Sequence, residues 1–204
     1  MTEIIASVFI GLGLAASVGF RVFLPLLALS IAHHFGLVPL NDSWTWVGGY
    51  PAMTVFAVAT VLETLAYFIP WFDNLLDTVA LPGATIAGTA VMASTVMDME
   101  PLWRWALAII AGGGTAGLIK GVNTQTRLAS TATTAGVGNP IVSATETVAA
   151  TGLSALSIFL WPVAAVIVIL LLIGLFFFYR RLRRWWQRLA GQDTDPVPTT
   201  PESS

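Results

Sequence analysis

The chain has no cysteine among its 204 residues, which excludes disulfides and thiolate-bound metals. Charge is scarce as well. Asp, Glu, Lys and Arg make up 10% of the sequence, against about 25% in an ordinary soluble domain. Lysine occurs once, at Lys120, and the two histidines are the neighbours His33 and His34. Adjacent residues point in different directions on a helix. With no third ligand close in sequence, no metal site is expected. There is no G-x-S-x-G, no Walker loop, no H-E-x-x-H and no dinucleotide fingerprint. These absences argue against an enzyme, and neither catalytic residues nor a cofactor are expected. Nor do the basic residues form a nucleic-acid face. Five of the nine lie in Arg180–Arg188, interleaved with tryptophan and directly after an apolar run, a pattern that suits lipid better. The N-terminal apolar run has no positive region before it, so no cleaved signal peptide is expected.

What the chain has in abundance is apolar surface. Hydrophobic residues make up 56% of it and the mean hydropathy is +0.80. Repeated apolar runs of about 20 residues predict an all-α polytopic integral membrane helical bundle. Six or seven membrane segments are expected, one or two of them broken or re-entrant. The first run, Ile4 to Phe35, would be about 48 Å long as one helix, more than a hydrocarbon core of ~30 Å needs. Gly19, Arg21 and Pro25 interrupt it, so a break near Gly19–Pro25 is expected. The result is either one long kinked span or a hairpin of two short helices. His33 to Gly49 reads as a loop with interfacial Trp44 and Trp46 and no Lys or Arg, which favours the non-cytoplasmic side. Further spans are expected over Pro51–Pro70, Ala80–Met97, Leu102–Gly121, Ser143–Leu160 and Val163–Tyr179. Gly11-Ala15-Gly19 and Gly113-Gly117-Gly121 are rows of small residues that let helices approach closely, and they suggest a homo-oligomer.

The membrane domain is therefore expected to occupy residues 1–179. Residues 180–190 follow as an amphipathic helix, with Arg180, Arg181, Arg183, Arg184, Trp185, Trp186 and Arg188 at the lipid interface. A disordered tail is expected over 191–204. The arginine cluster places the C-terminus in the cytoplasm. The side of the N-terminus depends on whether residues 4–35 cross once or twice.

The stretch from Lys120 to Thr147 stands out. It holds one Lys, one Arg, one Glu, seven Thr and two Asn around a Gly-Val-Gly-Asn-Pro break. Such a stretch cannot face lipid without losing hydrogen bonds worth several kcal/mol each. Glu63 lies inside an apolar span, on one stripe with Thr60, and needs a cation, water or a proton there. Glu146, with Ser143, Thr147 and Asn139 nearby, could line a small polar site, or simply sit at a favoured helix start. Arg21, Lys120 and Arg127 are either partners of these carboxylates or snorkel to headgroups. Asp73 and Asp77 are four residues apart and share a helix face. They form either a possible cation site or a solvated surface.

Several segments are similar to one known family. GLAASVGFRVFLPLLAL, LETLAYFIPWFDNLLDTVALPGA and GTAGLIKGVNTQTRLASTATTAGVGNPIVSATET resemble the bacterial membrane family called domain of unknown function 4126, over roughly Ile4 to Leu172. The resemblance implies a multi-pass protein of the bacterial inner membrane and no established activity.

The leading expectation is thus a small transporter or channel for a cation or a proton-coupled solute. Its path would be lined by Glu63, Glu146, Asn139, Thr147, Ser143, Thr60, Arg127, Lys120 and Arg21, and its partners would be membrane lipids and a small ion or solute. The alternative is a non-transporting membrane protein, lipid-organising or partner-binding, in which the same polar groups form a structural network. An intramembrane lipid enzyme using Asp73 and Asp77 is the weakest option, for want of any nucleophile or metal motif.

Overall fold

The computed structural model describes residues 2–66, 70–134 and 137–190; side chains are described for these except 2, 70–78, 178–179 and 182–190. The described residues are almost wholly helical: α1 (Thr2–Phe20), α2 (Phe23–His34), a 3-10 turn (Asp42–Gly48), α3 (Tyr50–Ala66), α4 (Pro70–Thr95), α5 (Pro101–Leu107), a π segment (Ala108–Gly113), α6 (Gly114–Thr134), α7 (Asn139–Phe159) and α8 (Trp161–Ala190). Among them, Glu3–Phe20, Pro101–Thr134 and Asn139–Phe159 are long and apolar enough to cross a membrane. The 3-10 turn and α3, bent by 61°, make a fourth candidate together, while Phe23–His34, Val79–Thr95 and Trp161–Phe177 are shorter apolar helices. These lengths mark a membrane protein.

The first break falls where Pro25 puts it. Pro25 is the third residue of α2, where its missing N–H costs nothing, but its ring clashes with the carbonyl four residues earlier, at Arg21. α1 therefore stops at Phe20. α2 stops at His34, and Gly36 just beyond it turns the chain with a φ of 70°, a conformation glycine adopts without strain.

Close backbone approaches set the direction of each helix. A Cβ on Gly112 would meet the Gly88 carbonyl at 2.6 Å, and one on Gly88 would meet the Gly112 carbonyl at 2.8 Å. Gly117 faces Thr85 and Gly121 faces Leu81, so α4 and α6 run antiparallel. Gly11 lies against Thr95 and Met92, and Gly19 against Ala116 and Ile119. α1 is thus antiparallel to α4 and parallel to α6. α7 runs against α1, with Gly13 by Ser157, Ser17 by Ser154 and Arg21 by Ser143.

α2 turns back from the end of α1. The chain after it reaches Ser94, where the Asn41 amide donates to the Ser94 carbonyl at 2.9 Å, and Ser94 is next to the Thr95 that faces Gly11. Residues 4–35 are therefore a hairpin of two helices rather than one kinked span. α3 descends beside α2, from Gly48 near His33 to Glu63 near Val22.

Two sequence boundaries shift. The span expected to stop at Gly121 continues unbroken to Thr134, so the polar residues from Lys120 onward are helical. The basic segment from residue 180 is not a separate helix but the continuation of α8 to Ala190. Residues 191–204, expected as a tail, lie outside the described residues.

The chain divides into two compact units, Met1–Val168 and Ile169–Ser204. The first holds the core, formed by Leu14, Val18, Leu29, Val38 and Val91 with Met92, Ala108 and Ala116, all nearly inaccessible. In the second, the described part of α8 exposes Ile169, Leu170, Ile173, Phe176 and Phe177.

Candidate functional site

Breaking a helix frees backbone groups at both ends, and inside an apolar bundle each needs a partner. Side chains from other helices serve the α1–α2 break. On the α2 side, the Val22 and Phe23 amides donate to Glu63, to Oε1 at 2.9 Å and to Oε2 at 3.1 Å. One carboxylate from α3 thus caps the start of α2 in the way an N-cap residue would, at the positive end of the helix. On the α1 side, Asn123 Nδ2 of α6 donates to the Gly19 carbonyl at 3.2 Å.

Arg21 sits in the break itself and is 1% exposed. Its Nη2 donates to both Ser143 Oγ at 2.6 Å and the Ser143 carbonyl at 3.1 Å, on α7. Ser143 is one turn before Glu146, which forms a forked pair with Arg127 of α6. Arg127 Nε donates to Oε1 at 3.1 Å and Nη2 to Oε2 at 2.5 Å. Arg127 and Glu146 are 2% and 4% exposed. Lys120, on the face of α6 that carries Asn123 and Arg127, is fully buried. The two-point geometry fixes the orientation of the pair as well as its separation.

Five expected site residues and one addition therefore converge at one end of the bundle: Arg21, Glu63, Arg127, Ser143 and Glu146, with Asn123. Lys120 lies one turn before Asn123. Arg21, Glu63, Lys120, Arg127 and Glu146 are all buried, whereas Glu3, Asp42, Asp98 and Glu100 at the opposite end are exposed.

The other expected residues take different places, Thr147 sharing the Ser143 carbonyl with Arg21. Thr60 donates to the Phe56 carbonyl at 2.7 Å and Thr147 to the Ser143 carbonyl at 2.9 Å. Both hydroxyls serve their own helix. Asn139 is at the tip of the α6–α7 hairpin, where its Nδ2 donates to Thr131 Oγ1 at 3.1 Å. The side chains of Asp73 and Asp77 lie outside the described residues, as do those of Arg183, Arg184, Trp185, Trp186 and Arg188, while Arg180 and Arg181 are exposed. Among the described residues no three His, Asp or Glu side chains cluster as a metal site would require.

Sequence reasoning missed Asn123. Its signal was its place between Lys120 and Arg127, at i+3 and i−4, on one helical face. It missed Ser17 as well, which donates to the Ala150 carbonyl at 2.7 Å and bonds Ser154 Oγ at 2.7 Å, riveting α1 to α7 below the break.

Two cavities lie away from these charges. One, of about 160 Å³, has apolar walls that include Leu26, Leu29, Trp44 and Phe56. The other is a shallow depression of about 470 Å³ along the exposed side of α7, from Pro140 to Val148.

No curated protein and no solved structure matches this chain. A family model matches residues 8–181, which takes in every charged residue of the broken-helix site. The chain belongs to the family described as a domain of unknown function, DUF4126.

Proposed function

We propose that the protein is a small integral membrane transporter for a cation or a proton-coupled solute, working at the α1–α2 break. The observation that carries this reading is the trans cap. A buried carboxylate from one helix holds the first amides of a short helix that re-enters the bundle. A break that buries Arg21, Glu63, Arg127 and Glu146 is a costly way to gain stability alone. Ionisable groups at such depth mark ion and proton pathways by default, and broken helices lie at the binding sites of many transporters.

The cap also suggests how a proton could be coupled to movement. An ionised Glu63 offers an acceptor oxygen to each of two amides. A protonated Glu63 carries hydrogen on one oxygen, which becomes a weaker acceptor, so taking up a proton weakens one of those bonds and loosens α2 from α3. The proposed path lies between α2, α3, α6 and α7. Seven segments would then alternate across a bacterial inner membrane, α5 and α6 counting as one, with the C-terminus in the cytoplasm and the glycine-lined faces available for oligomer contacts.

The test is flux in proteoliposomes. The wild-type protein should carry a proton or cation current that Glu63→Gln abolishes while the variant remains folded by circular dichroism. A variant with wild-type flux would end this proposal.

One observation favours a second reading, the non-transporting membrane protein. The Arg127–Glu146 pair is closed, each carboxylate oxygen already holding a donor. In that reading the network gives the bundle a unique packing, no flux exists, and both Glu63→Gln and Glu146→Gln act on stability alone.

A further inference from the structure

The geometry of α8 points to a second site, separate from the buried network: a docking surface for the phosphate groups of anionic phospholipids. This site does not depend on the transport reading. α8 is one unbroken 30-residue helix, about 45 Å long by its rise, well beyond the ~30 Å of hydrocarbon that a span must cross. Its composition changes sharply along that length. Trp161–Phe177 is apolar, and Phe176 and Phe177 are exposed as a lipid-facing surface would be. Arg180 and Arg181, both exposed, follow within one turn. Three residues of helix advance only about 4.5 Å, so the first guanidinium groups stand at the depth where acyl chains meet headgroups.

From Arg180 to Leu189 the sequence is RRLRRWWQRL, with five arginines and no acidic residue. Charge complementarity therefore selects an anion, and position selects which one. A lipid phosphate is present at that depth in every orientation of the helix, whereas a soluble acidic partner would have to displace it. Arginine in place of lysine suits a phosphate oxygen pair, since the planar guanidinium can donate two parallel bonds. The indoles of Trp185 and Trp186, interleaved in sequence with the arginines, are the side chains that favour this boundary. A basic cluster directly after a span is attracted to an anionic surface, by roughly a fivefold factor in affinity for each arginine near it.

The experiment uses the full-length protein in vesicles of phosphatidylcholine doped with 20% dibrominated lipid, the bromines carried either on phosphatidylglycerol or on phosphatidylcholine. Bromine quenches nearby indoles. The contribution of Trp185 and Trp186 is the difference between wild type and the Trp185→Phe/Trp186→Phe variant. The expected result is at least about twofold stronger quenching by the anionic lipid, reduced to parity when Arg180, Arg181, Arg183 and Arg184 are changed to Gln. It should be largely retained in the matching Lys variant, which keeps the charge, so a loss specific to Gln reports electrostatics rather than misfolding. Equal quenching by both lipids in the wild-type protein would overturn the proposal. So would an anionic preference that survives the Gln changes, or one that inorganic phosphate or a soluble nucleic acid abolishes at millimolar concentration.

Discussion

Glu63 and Glu146 are both buried carboxylates, yet they differ in what holds them. Glu146 faces a cation in a two-point pair, and Glu63 faces two backbone amides. Removing one member of a buried ion pair strands the other, at a cost of about 3–5 kcal/mol, whereas replacing both by apolar groups of similar size is often neutral. Glu146→Leu and Arg127→Met should each lower stability in detergent by about that much, and the double variant by much less than the sum. Thermal or denaturant unfolding of all four species measures this, and additive losses would remove the pair as a unit. Glu63→Gln should cost about 1–3 kcal/mol, because the amide keeps one acceptor oxygen but turns an NH₂ toward the second backbone amide. In this chain each charge stands out in the sequence because so few exist, and the greasy context argued for inward pairing, with the membrane surface left open for Arg127 and a favoured helix start for Glu146. Which group each one meets was not legible. Glu63 binds backbone amides, and an amide leaves no trace in a residue pattern. The Thr60 and Thr147 hydroxyls were equally hard to place, because a threonine on a helix can bond the carbonyl four residues back, as both do.

At the scale of elements, the α1–α2 break was readable because proline, glycine and arginine coincide within seven residues. The persistence of α6 was not. Polar composition from Lys120 to Thr134 reads like a departure from helix, but threonines whose hydroxyls bond their own backbone, as Thr126, Thr133 and Thr134 do, are compatible with continuing it. The π segment left no sequence mark either, beyond the Gly112-Gly113 pair that widens the helix where it meets α4. That contact gives a prediction with its own control. Gly112 and Gly88 approach backbone to backbone, so neither side can move aside for a side chain. Gly112→Val should destabilise by about 2 kcal/mol or more, as overpacking does. Gly83 and Gly114 have open space where a Cβ would go, so Gly83→Ala and Gly114→Ala should be neutral or raise stability by up to about 1 kcal/mol, as alanine replaces glycine inside a helix. Melting temperatures of the purified variants decide it, and a well-tolerated Gly112→Val would mean that α4 and α6 are not packed at this point.

For the whole molecule, the hairpin of α1 and α2 puts the N-terminus at the same end of the bundle as the chain that follows α2, which the sequence left open because a 12-residue helix is too short to declare itself a crossing. α1 leads from the N-terminus to the charged end of the bundle, and α2 returns toward the end marked by Trp44 and Ser94. The N-terminal residues and the tryptophan-bearing turn then share one face, with the α6–α7 tip on the other. The charge rule fits this arrangement with one exception: Arg21, Lys120 and Arg127 gather at the tip's end and the turn carries no Lys or Arg, but Arg104 lies at the opposite end beside Asp98 and Glu100. The absence of cysteine makes the test direct, because any single introduced thiol is the sole reporter. Glu3→Cys and Thr45→Cys, at exposed positions, should react with an impermeant maleimide added to intact cells, and Val137→Cys, 80% exposed at the tip, only after the membrane is opened. If Glu3→Cys instead labelled together with Val137→Cys, residues 4–35 would cross once, Glu63 could not reach the Val22 and Phe23 amides, and the capped break would lose its place in the molecule.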